Sequence, residues 1–285
     1  MTGPLTGSAL ALLAGAGYGV SDFVGGMASR RVDALRVVLV SYPVALVLLT
    51  VSSTVFGGHV SPPAVLWGTL CGLSQAFGVW WFYAALGAGP MSLVSPLTAV
   101  LVAGVPVVAG VVFGERPSAL AYTGIGLAVV AVVLVSREVR DEDSTAHRFT
   151  AKVAWLTLGA GLAFGLNFVL LDQSPPDARL WPLVFARLSA TVMVVVIAAT
   201  AGSLRAPTGV PLRLALAAGV LDTVANVSVL LALHASMLSS TSVLVSLYPA
   251  GTVLLALTVL HERVTRWQVA GMILAVVSVG LITAG

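Results

Sequence analysis

The chain has 285 residues, of which 58% are hydrophobic and 9% charged; a soluble domain carries roughly a quarter charged, so a water-facing surface is excluded. The net charge of +3 comes from Lys and Arg spread over short connections, which excludes one long basic face for nucleic acid. A single cysteine, Cys71, excludes an intrachain disulfide and a thiolate metal cluster.

Apolar runs of about twenty residues, each long enough to cross a hydrocarbon core, predict ten transmembrane helices. They cover 5–27, 35–56, 64–86, 90–113, 118–136, 152–172, 181–202, 211–233, 238–260 and 266–284. A β-barrel would need alternating segments of about ten residues, so the expected class is an all-α polytopic membrane protein. The first run is read as a retained helix, because Arg30 and Arg31 follow it and no basic segment precedes it. Turn residues separate the runs: Gly58 with Pro62 and Pro63, Gly87 to Pro90, Pro175 and Pro176, and Pro207 with Gly209. The richness in Gly, 29 residues, suits helices that approach closely in lipid.

One connection differs. Residues 137–151, beginning Arg137-Glu138-Val139-Arg140-Asp141-Glu142-Asp143, gather many of the charges near the midpoint and read as a linker between a first unit, 1–136, and a second, 152–285. Placing residues 84–136 on 231–283 without a gap, an offset of 147, makes 19 of 53 positions identical. Apolar composition alone does not align Glu115-Arg116 with Glu262-Arg263, Gly124 with Gly271, or Ser92 and Ser95 with Ser239 and Ser242. Each unit holds an odd number of helices, so the repeats are inverted in the membrane, an architecture typical of secondary transporters.

Several motifs carry a family resemblance. The first helix has Gly19-Val20-Ser21-Asp22-Phe23, echoed by Gly165-Leu166-Asn167-Phe168 in the sixth. Tyr83-Ala84-Ala85-Leu86 precedes Met91-Ser92-Leu93-Val94-Ser95-Pro96-Leu97, and Glu-Arg follows the next helix in both units. Over nearly its whole length the chain resembles the EamA domain of the drug/metabolite transporter superfamily. That resemblance implies ten helices, a central cavity between the units, and movement of small metabolites, amino acids or drugs. The second helix departs from it, with Ser41 and Tyr42 where the seventh has Arg187, and His261 stands before Glu262 where Gly114 stands before Glu115.

Loop charges are one-sided. Eleven Lys and Arg residues fall on the face of the central linker and two, Arg116 and Arg179, on the other, with Arg187 inside a span. The positive-inside rule then puts the linker in the cytoplasm and both termini outside, whereas the resemblance implies cytoplasmic termini; the loop charges favour termini outside.

Ionisable groups within a span are costly and mark functional positions. Asp222 lies about ten residues into the eighth helix, near the midplane, with Asn226 on the same face at i+4. The 147-residue offset pairs Asp222 with Gln75, and Trp80 and Tyr83 continue along that helix. Together with Asp22 and Asn167 these residues form a candidate lining on helices one, three, six and eight; hydrogen bonding between helices is the alternative. Asp22, echoed by Asn167, is a further substrate or coupling candidate, or an interfacial cap. Arg187 is a candidate partner for Asp222 or Asp22, or for a substrate carboxylate, with snorkelling to the interface as the simpler alternative. A carboxyl in a low-dielectric cavity can carry a proton, so protons are a candidate coupling ion.

Pro96 and Pro249 are candidate kink or gating positions. Glu115, Arg116, Glu262 and Arg263 read as interfacial salt bridges or caps for the following helix. Trp67, Trp155, Trp181 and Trp267 sit near span ends as belt residues. His59, His147, His234 and His261 show no metal spacing, and no cofactor motif or catalytic constellation stands out. The expected function is therefore secondary transport of a small organic solute across the cytoplasmic membrane. A non-coupled facilitator or exchanger, a membrane scaffold or receptor, and an intramembrane enzyme are the alternatives, and the expected state is a monomer or homodimer.

Overall fold

The computed structural model describes residues 4–29, 31–88, 91–135, 150–248, 255 and 266–284. Among the described residues the chain is helical throughout: α1 Pro4–Ser29, α2 Ala34–Phe56, α3 Pro62–Ala88, α4 Met91–Val112, α5 Ala119–Val135, α6 Ala151–Asp172, α7 Trp181–Thr200, α8 Val210–Leu233, α9 Leu238–Val245 and α10 Arg266–Ala284. A short 3-10 turn, Pro176–Ala178, joins α6 to α7. Five of these helices (α1, α2, α6, α7 and α8) are long and apolar enough to cross a membrane, and shorter apolar helices lie in α4, α5 and α10.

Local chemistry sets the boundaries. Asp33 caps α2 through the amide of Leu35 at 3.1 Å, and Thr150 caps α6 through that of Val153 at 3.3 Å. Ser118 caps α5 through the amide of Ala121 at 3.0 Å. These side chains satisfy amides that the first turn of a helix leaves free. Gly58 breaks the chain between α2 and α3 with φ of 110°, and a Cβ there would fall 2.7 Å from the Ala178 carbonyl oxygen; only glycine serves both demands.

The two sets of five helices do not form separate bundles. The broad seams join α1 to α8, α3 to α6, α5 to α10, α3 to α7, α4 to α6, α2 to α7, α2 to α8, α4 to α9 and α1 to α9. Every one of them crosses from the first five helices to the last five. Exchanging each helix for the one five positions away returns the same set, as an approximate two-fold relation between inverted repeats requires.

Small residues make the seams close. Gly72 of α3 lies directly against the carbonyl of Ala186 in α7, and Gly219 of α8 against Ser41 of α2, where a Cβ would fall 2.7 Å from the Ser41 carbonyl oxygen. Gly161 and Gly165 of α6 receive Leu101 and Val105 of α4, whose Cβ atoms lie 2.6 Å from where a methyl group on either glycine would stand. Hydroxyls add bonds across the same seams: Ser21 donates to the Ala218 carbonyl at 3.0 Å, Ser74 to Ala163 at 2.7 Å and Ser189 to Thr69 at 3.1 Å. In lipid, where apolarity does not drive helices together, packing and such bonds supply the association, at about 0.6 kcal/mol per bond.

Candidate functional site

Two glycine approaches bracket one charged pair. Gly72 brings α3 onto α7 at Ala186, the residue before Arg187, and Gly219 brings α8 onto α2 at Ser41, the residue before Tyr42. Asp222 lies three residues beyond Gly219 and so projects from a neighbouring position on the same side of α8. The outcome is a contact in which Arg187 Nη2 donates to Asp222 Oδ2 at 2.6 Å. The guanidinium carbon also sits 4.5 Å from the centre of the Tyr42 ring, where the ring quadrupole attracts a cation. Asn226 donates its amide to the Asp222 carbonyl oxygen at 2.7 Å, which fixes its side chain one turn along.

The pair is withdrawn from the surface: the Arg187 side chain is 2% exposed and that of Asp222 20%. Tyr18 of α1 and Cys71 of α3 lie within electrostatic reach of the guanidinium. One of its nitrogens, Nη1, is buried without a hydrogen-bond partner among the described residues. A buried ion pair rarely adds net stability, because desolvation offsets the attraction, and an unsatisfied guanidinium nitrogen makes the balance worse. The arrangement therefore suits a group that exchanges partners better than a fixed structural bridge.

The remaining sequence candidates distribute differently. Arg187 does not snorkel to the interface, since its length is used up in reaching Asp222. Asn167 is not gathered to the pair: its amide donates to the Cys71 carbonyl at 2.9 Å and touches Cys71 Sγ at 2.9 Å, tying α6 to α3. Gln75 is half-buried one turn along α3 from Cys71. Trp80 is 43% exposed and leans on Phe77, ring centres 6.4 Å apart. The charged pair and the ring on it belong to α2, α7 and α8, with Tyr18 of α1 and Cys71 of α3 nearby. For Asp22, Tyr83 and Pro96 the backbone lies in α1, α3 and α4, and their side chains lie outside the described residues; so do Pro249, Glu262 and Arg263 altogether.

Glu115 requires a correction. It does not cap α5, the helix that follows, which Ser118 caps; its carboxylate accepts the amides of Leu238 and of Ser239, the latter at 3.0 Å, at the start of α9. Arg116 beside it is exposed. Sequence reasoning also passed over Gly72 and Gly219, although the offset of 147 that pairs Gln75 with Asp222 pairs these two glycines as well.

The family model described as EamA-like transporter family matches residues 5–137 and again 151–284. The chain belongs to the EamA-like transporter family. Its two matched segments coincide with the two sets of five helices, and the family's members are generally membrane transporters of the drug/metabolite superfamily. This member is accordingly a multi-pass membrane protein. A solved structure described only as "Crystal structure of protein" shares the fold, with a TM-score of 0.78 over 98% of this chain and 97% of that one at 14% identity. Among curated proteins none matches.

Proposed function

We propose that this EamA-like protein is a secondary transporter that moves a small organic solute across the cytoplasmic membrane by alternating access. The Arg187–Asp222 pair stands at the centre of its solute or coupling-ion site. The observation that carries this reading is the pair itself: a cation and an acid 2.6 Å apart, inside the helix bundle, with Arg187 Nη1 left without a partner among the described residues. Intramembrane charges of this kind are expensive and mark solute or proton pathways. Arg187 offers a donor to an anionic group of the solute, and Asp222 offers an acceptor to a cationic group or takes up a proton while the guanidinium is engaged elsewhere. Tyr42 holds the guanidinium in place during that exchange.

The one-sided loop charges support an orientation with the linker in the cytoplasm and both termini outside. The lipid bilayer is the surrounding partner, protons are the candidate coupling ion, and the protein works as a monomer or homodimer.

Reconstitution into proteoliposomes with a panel of metabolites, amino acids and amphiphilic drugs tests the reading. Saturable flux of at least one solute is expected, lost in Asp222→Asn and reduced in Arg187→Lys. If Asp222→Asn transports as the native protein does across an imposed pH gradient, the assignment of the pair is wrong; if a solute is consumed to a new product without crossing, the transporter reading is wrong.

A further inference from the structure

Helix α9 enters the bundle from the face that carries the start of α1, where a Cβ on Gly7 would meet Ser236 Oγ at 2.6 Å. All eight of its residues, Leu238 to Val245, are buried. Four consecutive ones, Ser239, Ser240, Thr241 and Ser242, carry hydroxyls. Ser242 satisfies its own helix, donating to the Leu238 carbonyl at 2.8 Å, and Thr241 meets Ser236 at 2.8 Å, whereas Ser239 Oγ is buried with no partner among the described residues. A buried hydroxyl left unbonded, as at Ser239, is costly in a permanently dry core, and a run of hydroxyls is a suitable lining for a path that fills with water in another state.

This helix has no side-chain cap of its own, since Met237 stands at its N-cap position. The cap comes from the opposite repeat. The Glu115 carboxylate receives the amides of Leu238 and Ser239, a charge-assisted arrangement reinforced by the positive end of the helix. The turn after α4 presents it: the Glu115 amide donates to the Gly110 carbonyl at 2.9 Å, Gly114 adopts φ of 99°, and a side chain on Gly110 would collide with the carboxylate. At ~1.5 Å per residue α9 reaches about 12 Å inward, and Asp222 lies about 16 Å along α8 from its end at Leu233. The helix therefore runs beside α1 and α4 through most of the depth at which the charged pair lies.

We infer that Glu115 is a positioning residue of the transport cycle: its carboxylate clamps α9 as a plug, and the path from the N-terminal face to Arg187 and Asp222 opens only when the clamp lets go. The inference rests on the transporter reading. Its test uses the full-length protein in membrane vesicles of both orientations, with Cys71→Ala and Ser242→Cys as background and a membrane-impermeant maleimide as probe. Glu115→Gln removes the charge and sets an amide NH2 against the helix amides. Leu238→Pro leaves Glu115 intact and deletes a donor instead; proline is tolerated at the first helical position, and Met237 already has the extended backbone, φ −61° and ψ 141°, that a following proline demands.

Both variants are expected to raise labelling of the introduced cysteine by about tenfold or more, the range for a lost hydrogen bond to a charged group, and only from the N-terminal face. Unchanged rates in both variants, each eluting as a monodisperse protein, overturn the clamp. So does an equal rise from both faces, which reports a loosened fold and no gate. Flux with flat labelling rejects the clamp and keeps the transporter reading; gated labelling without flux of any solute does the reverse.

Discussion

Tyr42 and Arg187 hold corresponding positions in the two repeats, 145 residues apart, and they stack on each other, guanidinium carbon to ring centre 4.5 Å. The same spacing relates Phe23 to Phe168, and the glycine approaches confirm the correspondence, since Gly72 meets Ala186 as Gly219 meets Ser41. An inverted duplication brings α2 and α7 together near its own axis, so their equivalent residues become neighbours. One repeat supplies the cation and the other the ring that receives it.

Removing one member of the pair strands the other. Asp222→Asn leaves the buried Arg187 without a counter-charge, and a loss on the order of 3–5 kcal/mol is expected. The double variant Arg187→Met with Asp222→Leu is expected to recover most of the thermal stability of the detergent-solubilised protein while transporting nothing. A double variant less stable than Asp222→Asn alone contradicts this account.

The glycine approaches give a sharper expectation for packing. Gly72→Ala and Gly219→Ala each drive a methyl group into a backbone carbonyl, which cannot rotate away as a side chain would. Each is expected to cost about 1–3 kcal/mol and to weaken the Arg187–Asp222 contact, whereas Gly104→Ala meets nothing within 4 Å among the described residues and is expected to be neutral. Unfolding temperatures of the three variants in one detergent provide the measurement.

Cys71 is buried and engaged by Asn167. In the folded protein it is expected to resist impermeant and permeant maleimides alike, and to react fully after denaturation. Rapid labelling of the native protein by a permeant reagent would show that the α3–α6 seam opens.

His234, just past the end of α8, approaches the Ser174 carbonyl oxygen at 3.2 Å through Nε2. Burial holds its pKa below the ordinary value for histidine, outweighing the opposing effect of that bond. Between the folded and unfolded pKa values the unfolded chain binds more protons, so stability rises with pH there; it is fully present above the unfolded value and declines as pH falls through the folded one. Thermal unfolding is expected to show a loss on acidification from pH 7.5 to 5 that His234→Gln makes shallower. Identical slopes in the two proteins would remove His234 from the account.

Much of the architecture was legible because lipid imposes it. Residues 151–172, 181–200 and 210–233 follow predicted spans to within two residues, since a run of about twenty apolar residues has few other fates. Asp222 and Arg187 stood out for the same reason, as charges where charges are costly. Arg187 stood as a candidate partner for Asp222 or Asp22; which role it takes could not be decided from sequence, because that depends on which face of α7 turns toward α8, and the apolar surroundings give no periodicity to read. Glu115 was misassigned for a different reason: its neighbours in sequence offer a local helix to cap, and Ser118 takes that role, which frees the acid for a helix more than a hundred residues away. The glycines at 72 and 219 carried a readable signal in their shared offset, hidden among 29 glycines.

The seams that join the first five helices to the last five also govern how the protein is made. Helix α1 finishes at Ser29 and its broad partner α8 at Leu233; with synthesis at ~5–20 residues per second, the first waits on the order of ten seconds or more in the bilayer before the second arrives. During that interval α3 lacks α6 and α7, and α2 lacks both of its broad partners. The early product of the ribosome is thus a set of separately inserted spans and not a half-molecule, and assembly begins when the second repeat threads among them. Two polypeptides, divided within the linker and synthesised together, carry all the surfaces needed to build the same bundle.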